Sequence, residues 1–223
     1  AVSETFEPGF IGKVFTMSGM IQLGLHQASD KFTVPDHITT NGQTYSDATT
    51  HGDEHWTLAG ILEQSSNVGM IIAAEKMSNE QRYEFISKFG IGQDNGLGLP
   101  GEADGLLYSA DQWDLRTQNT VLFGQAYTTN ALQLTNAVAV IANKGVKKPQ
   151  RIIKAISDAE GHSEEQKPEG EATRVIDEQV ASQVMNAMES VSDHYSQFVK
   201  VDGYRVAAKS GTAEVAGADG RLS

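Results

Sequence analysis

Three short polar stretches stand at the ends of otherwise apolar or alternating segments, and any fold of this chain has to place all three. They are Glu7-Pro8-Gly9-Phe10-Ile11-Gly12-Lys13, Ser65-Ser66-Asn67 and Lys209-Ser210-Gly211-Thr212-Ala213. The first is a turn opening onto an apolar segment, residues 13–25, with helical potential. A turn ending at Gly9 puts residue 10 at a helix N-terminus. Residues 10 and 13 are then i and i+3 on one face. The second stretch interrupts residues 56–76, where Leu58, Ile61, Leu62, Met70 and Ile72 recur at buried helical spacing. The third follows residues 204–208, whose alternation predicts a strand, and Gly211 lets another backbone approach that strand's edge. A helix N-terminus, an interhelical step and a strand would have to meet for these stretches to act together.

Elsewhere the signals are local. Residues 26–55 are polar, with Pro35 and Asn41-Gly42. They are too long for a plain loop and read as an insertion or a set of short strands, with a hairpin turn at Asn41-Gly42. Ser78 with Gln81 three residues on predicts a capped helix to about residue 88. Residues 90–105 form a glycine-rich loop. Its Gly96-x-Gly98-x-x-Gly101 matches the dinucleotide fingerprint literally, but Pro100 sits inside it and no strand-helix-strand unit surrounds it. Short helix is expected over 109–116 and a strong buried helix over 132–143, closed by Lys144-Gly145. A strand is expected over 151–156, an exposed connection over 157–172, and an amphipathic helix over 177–191 with Val180, Val184 and Met188 inward.

Composition excludes several functions. The 223 residues suffice for one large domain or two small lobes with a real core. A net charge of −12 argues against a nucleic-acid surface, which needs Lys and Arg to neutralise phosphates. With no cysteine there is no disulfide, zinc-thiolate site or Cys nucleophile. The six histidines lie in polar segments without His-Glu-x-x-His spacing, so no metal and no cofactor is expected. Trp56 and Trp113 read as packing residues. No apolar run approaches the roughly 18 residues of a membrane span, and Ala1-Val2-Ser3-Glu4 does not open a signal peptide.

The three stretches, in this order, resemble the Ser-x-x-Lys, Ser-x-Asn and Lys-Ser/Thr-Gly motifs of penicillin-binding proteins. Phe123-Gly124-Gln125, Leu132-Gln133-Leu134, Ile141-Ala142-Asn143-Lys144-Gly145 and Leu99-Pro100-Gly101-Glu102 extend the resemblance over most of the chain, closest to class B, division-type D,D-transpeptidases. The resemblance implies an α+β penicillin-binding/serine β-lactamase-like fold, mostly the all-helical lobe plus part of the antiparallel sheet. It implies a serine acyl-enzyme that cross-links stem peptides ending in D-Ala-D-Ala and is acylated by β-lactams. In such a site Lys13 would take the nucleophile's proton and Ser65 would relay a proton to the leaving group. Asn67 would hold the acyl-side amide. Lys209, with Ser210 or Thr212, would meet a carboxylate, and Gly211 would admit the substrate backbone. The N–H groups of residue 10 and Thr212 would form the oxyanion hole. Cell-division proteins are the implied partners, and the implied location is the extracytoplasmic membrane face, with the anchor outside this chain.

The chain departs from the family form at the nucleophile: position 10 is Phe, which offers no oxygen to acylate. It also begins nine residues before that position and ends at Arg221-Leu222-Ser223. The whole of 1–223 therefore reads as an incomplete transpeptidase domain, with a sheet edge to be covered by a second copy, a partner fragment or a disordered region. Two readings follow: a transpeptidase whose serine has been replaced, and a non-catalytic module acting as a division scaffold or ligand-binding domain. A β-lactamase or carboxypeptidase is set aside because the motif flanks look like the transpeptidases and no loop Glu suggests a deacylating water. Lys13, Ser65, Asn67 and Lys209 are expected to converge on one cleft.

Overall fold

Helix α1 (Gly12–Gln22) has ten buried residues out of eleven, and the rest of the molecule is arranged around it. This is seen in a computed structural model that describes residues 2–212; Ala213 of the third stretch and the chain's last residues lie outside them. A 3₁₀ turn, Gly9–Ile11, leads into α1 without a side-chain cap. The turn is tied down from outside instead, by Gly9 N–H donating to the Gly124 carbonyl at 3.0 Å. At its other end Gly24 takes φ +68° and Leu25 N–H returns to the Met20 carbonyl, closing the helix.

The chain then makes β1 (Lys31–Val34), β2 (His37–Thr40), β3 (Gln43–Ser46) and β4 (Glu54–Thr57). β1 pairs antiparallel with β4 and β2 with β3. The hairpin turn falls at Asn41 and Gly42, both with positive φ (+53° and +73°), as a tight two-residue hairpin requires. Residues 56–57, expected as helix, belong to β4, and Thr57 caps α2 (Leu58–Glu63) by accepting from Gly60 N–H. After the polar step comes α3 (Asn67–Ala73), then α4 (Asn79–Lys88), whose Ser78–Gln81 capping box is formed as the spacing predicts. The glycine-rich loop stays irregular. Residues 109–116 give only a 3₁₀ turn at Ala110–Gln112, and α5 (Thr117–Thr120) follows.

Helix α6 (Ala131–Ala142) starts one residue early because Asn130 and Gln133 form a second capping box. Beyond it β5 (Val146–Lys147) pairs with β8 (Thr173–Arg174), closing the base of an exposed arm. That arm holds a hairpin of β6 (Ala155–Ser157) and β7 (Ser163–Glu165); the strand expected over 151–156 forms only from Ala155, and β7 lies where an exposed connection was expected. All six residues are exposed, so the hairpin is built by backbone pairing and surface contacts such as Ser157 Oγ to Ser163 Oγ at 3.1 Å and Arg151 to Glu165 at 2.9 Å. α7 (Glu178–His194) presents Val180, Val184 and Met188 to the core, and α8 (Ser196–Val199) follows.

The architecture is α+β, with a helical lobe and four two-stranded antiparallel pairs among the described residues. The strand expected over 204–208 does not form: no described strand lies alongside, and Ala208 N–H donates instead to the Met188 carbonyl of α7. The core packs α1 against α2, α4 and α7. Val14, Met17, Met20, Leu58, Ile61 and Val184 are fully enclosed, each stabilising the fold by about 1.5–3 kcal/mol relative to exposure. Gly19 permits the α1–α4 contact, since a Cβ there would lie 3.0 Å from the Phe85 ring of α4.

Candidate active site

Position 10 is set by a glycine pair. Gly124, at φ +84°, lies so close that a Cβ on it would stand 1.7 Å from the Gly9 carbonyl oxygen, and a Cβ on Gly12 would stand 2.5 Å from the Gly124 Cα. This contact fixes the turn carrying Phe10 against the 3₁₀ turn Val121–Phe123. One turn along α1, Lys13 points inward and is fully enclosed.

Ser65 meets it. After α2 the chain turns through Ser65 at φ +56°, a left-handed conformation costly for a non-glycine residue. The turn aims both the carbonyl and the hydroxyl of Ser65 at Lys13. Nζ of Lys13 donates to the Ser65 carbonyl and, at 3.2 Å, to Ser65 Oγ. Lys209 Nζ donates to the same Oγ at 2.8 Å. Residues separated by 52 and by 144 positions thus share one hydroxyl.

The strain is held by Asp47, which the sequence reading did not single out. Asp47 accepts from Ser66 Oγ at 2.6 Å and from Asn67 N–H and Val68 N–H at 2.6 and 3.0 Å. A carboxylate at these N–H groups also complements the N-terminus of α3. Ser66 in turn caps α3 through Gly69 N–H. His51 Nε2 lies 3.1 Å from the other side of the same carboxylate. Burial disfavours charge on His51, but the Gly52 carbonyl and Asp47 outweigh it and raise its pKa. No local pattern ties Asp47 to a motif 19 residues away; only the folded β2–β3 hairpin brings it there.

Asn67 Nδ2 donates to the Ser46 carbonyl at 3.3 Å, while its Oδ1 is buried and has no partner among the described residues. Phe10, Asn67 and Thr212 line one open cleft of about 580 Å³. The Lys209 segment reaches it because Gly211 lies flat on the turn: a Cβ there would be 3.2 Å from Ile11 and 3.4 Å from the Pro8 carbonyl. Ser210 is exposed, and its Oγ accepts from Lys209 at 3.1 Å.

The two amines are driven to different states. Burial, with the nearby Lys209 charge adding to it and Asp47 opposing, lowers the Lys13 pKa to about 6. Burial lowers Lys209 to about 8. At neutral pH the first is mainly a neutral base and the second mainly a cation, a division that acid–base sites require. Lys13 Nζ also sits 3.9 Å from the centre of the Phe10 ring. The ring therefore stands next to the amine that could take a proton, and it has none to give. Among the described residues no group of three His, Asp or Glu side chains could hold a metal, and no helix is long and apolar enough to cross a membrane.

The family model for the penicillin binding protein transpeptidase domain matches residues 1–223. The chain is 37% identical to the penicillin-binding protein PbpB of Mycobacterium tuberculosis, over 96% of this chain and 32% of that protein. It is 32% identical to the peptidoglycan D,D-transpeptidase FtsI of Escherichia coli, over 99% of this chain and 35% of that protein. The chain thus spans about a third of the length of these relatives. Among solved structures, a peptidoglycan synthetase from Bifidobacterium adolescentis superposes with a TM-score of 0.94 at 74% identity, covering 99% of this chain and 40% of that one.

Proposed function

The chain belongs to the penicillin-binding protein transpeptidase family, and from that premise we propose that it carries the nucleophile helix of a peptidoglycan D,D-transpeptidase, silenced by Phe10. The observation that carries the reading is the shared Ser65 hydroxyl, flanked by a buried amine with a pKa of about 6 and a second amine with a pKa of about 8.

With serine at position 10 the chemistry is direct. Neutral Lys13 takes the serine proton as the oxygen attacks the carbonyl between the two D-Ala residues of a stem peptide. The N–H groups of residue 10 and Thr212 hold the oxyanion. Ser65 relays the proton to the departing D-Ala amine, whose carboxylate rests on Lys209 with Ser210 or Thr212. The acyl-enzyme is then taken by the amine of a second stem peptide. A β-lactam enters the same sequence, but its leaving nitrogen stays tethered. Asn67, whose Oδ1 has no partner among the described residues, suits the acyl-side amide. The reaction belongs on the extracytoplasmic face of the membrane, with anchor and division-protein contacts supplied by other parts of the parent protein.

With Phe10 present, the cleft and both lysines remain and the attacking atom is gone. This favours, for this chain, a second reading as a penicillin-binding module that binds ligand or serves as a division scaffold without acyl transfer. Ser18 is no substitute: its Oγ is spent on the Val14 carbonyl at 2.7 Å, and it lies about 12 Å further along the helix. Intact-mass spectrometry with a fluorescent penicillin tests the proposal. The Phe10 chain should gain no covalent mass, and Phe10→Ser should gain one acyl adduct. An adduct on the Phe10 chain would mean another nucleophile; a folded Phe10→Ser chain that stays unlabelled would leave the binding-module reading in front.

A further inference from the structure

Among the described residues, the cleft beside Phe10 has one formal charge on its walls, and it is positive. The chain has 29 acidic residues against 17 Lys and Arg, yet among the described residues no Asp or Glu lines this cleft. Neutral side chains such as Gln43, Thr44 and Gln125 do, together with Arg116. The other described arginines are engaged. Arg82 donates to the Ala74 carbonyl and Arg174 to that of Ile176, while Arg151 and Arg205 pair with Glu165 and Glu189. Arg116 is exposed, in the turn before α5, and its guanidinium has neither hydrogen bond nor ion pair among the described residues. The adjacent Asp114 is held first by Thr117, whose N–H donates to it at 2.7 Å, and the charge of Arg116 is the least of the influences that lower its pKa.

A guanidinium unpaired among the described residues, on a cleft that no described carboxylate lines, is a selective receptor. Its planar fork matches a carboxylate in two parallel hydrogen bonds, a geometry that a lysine ammonium does not reproduce. Asn67 lines the same cleft, and on the transpeptidase reading it marks the acyl side of the bound donor. We propose that Arg116 selects ligands bearing a carboxylate on the acyl side, either on a stem-peptide side chain or on the acyl substituent of a β-lactam. The inference rests on the proposed function for the direction of the ligand only.

Two probe pairs test it. On the unaltered 223-residue chain, NMR titration compares two synthetic peptides ending in D-Ala-D-Ala, one with diaminopimelate at the third position and one with lysine. The carboxylated peptide should bind about tenfold more tightly, the size of one good charge-assisted contact. The preference should shrink at high salt, fall to near unity in Arg116→Gln and survive in part in Arg116→Lys. Equal binding of the two peptides, binding of neither, or a preference that persists in Arg116→Gln overturns the inference. On a Phe10→Ser background, the acylation-rate ratio of carbenicillin to benzylpenicillin, which differ by one carboxylate, should drop with Arg116→Gln if β-lactam carboxylates use the same site. A drop in the peptide ratio alone assigns the site to stem peptides. If neither penicillin labels Phe10→Ser, the acyl-enzyme reading fails, and the peptide ratio still decides the role of Arg116.

Discussion

Asp47 accepts a 2.6 Å hydrogen bond from Ser66, and through it a β-hairpin sets the shape of a catalytic-type turn. The same carboxylate takes the first two N–H groups of α3, and together with the Lys13 and Lys209 contacts to Ser65 it holds the left-handed turn in place. Replacing Asp47 by Ala leaves those donors and the Ser66 hydroxyl without their acceptor. A loss of about 3 kcal/mol is expected, since buried hydrogen bonds to a charged group contribute about 1.5–3 kcal/mol each and are not additive. Urea unfolding measures it. In a Phe10→Ser background the same change should slow penicillin acylation, because Ser65 would leave the two amines. An unchanged acylation rate would refute the positioning role.

Lys13 makes stability and reactivity depend on pH in a definite direction. Its folded pKa of about 6 lies below the ordinary 10.5. Between these values the unfolded chain binds a proton that the folded chain does not, so stability rises with pH from about 6 upward and is lowest below that. Lys13→Met should flatten the rise, as read from urea midpoints across pH 5–9.5. In Phe10→Ser, acylation should climb through about pH 6 as Lys13 becomes a base and decline through about pH 8 as Lys209 loses its charge.

Gly124 should tolerate no side chain. A Cβ would fall 1.7 Å from the Gly9 carbonyl, and φ +84° is itself strained for other residues. Gly124→Ala is expected to destabilise by about 2–4 kcal/mol through overpacking and backbone strain. It should also displace the turn at position 10, so that Phe10→Ser combined with Gly124→Ala labels poorly even where it is folded. Circular dichroism and intact mass separate the two effects.

The elements written locally were the ones legible beforehand. Ser78 with Gln81 caps α4, the apolar stripe of α7 points inward, and Lys144 and Gly145 both take positive φ where the helix ends. Each depends on neighbours within a few residues. What depended on distant partners was not legible. The hairpin of β6 and β7 buries nothing, so β7 leaves no periodic trace and the strand expected over 151–156 forms only at its end. Residues 204–208 alternate like a strand, but pairing needs a neighbour, and α7 supplies the contact instead. At the site, the family resemblance pointed to Lys13, Ser65 and Lys209, which the fold joins at one hydroxyl. Asp47, in a polar segment with other acidic residues, was invisible until the hairpin placed it.

The enclosure of α1 sets how the molecule comes apart. A helix with ten of eleven residues buried has no face from which to fray. Its amides can exchange with solvent only through opening of the whole core, whereas the fully exposed β6–β7 arm can open by itself. Lys13 therefore rides on the last part of the chain to loosen. Mild heat or denaturant would strip the periphery while the buried amine keeps its place, whichever residue stands at position 10.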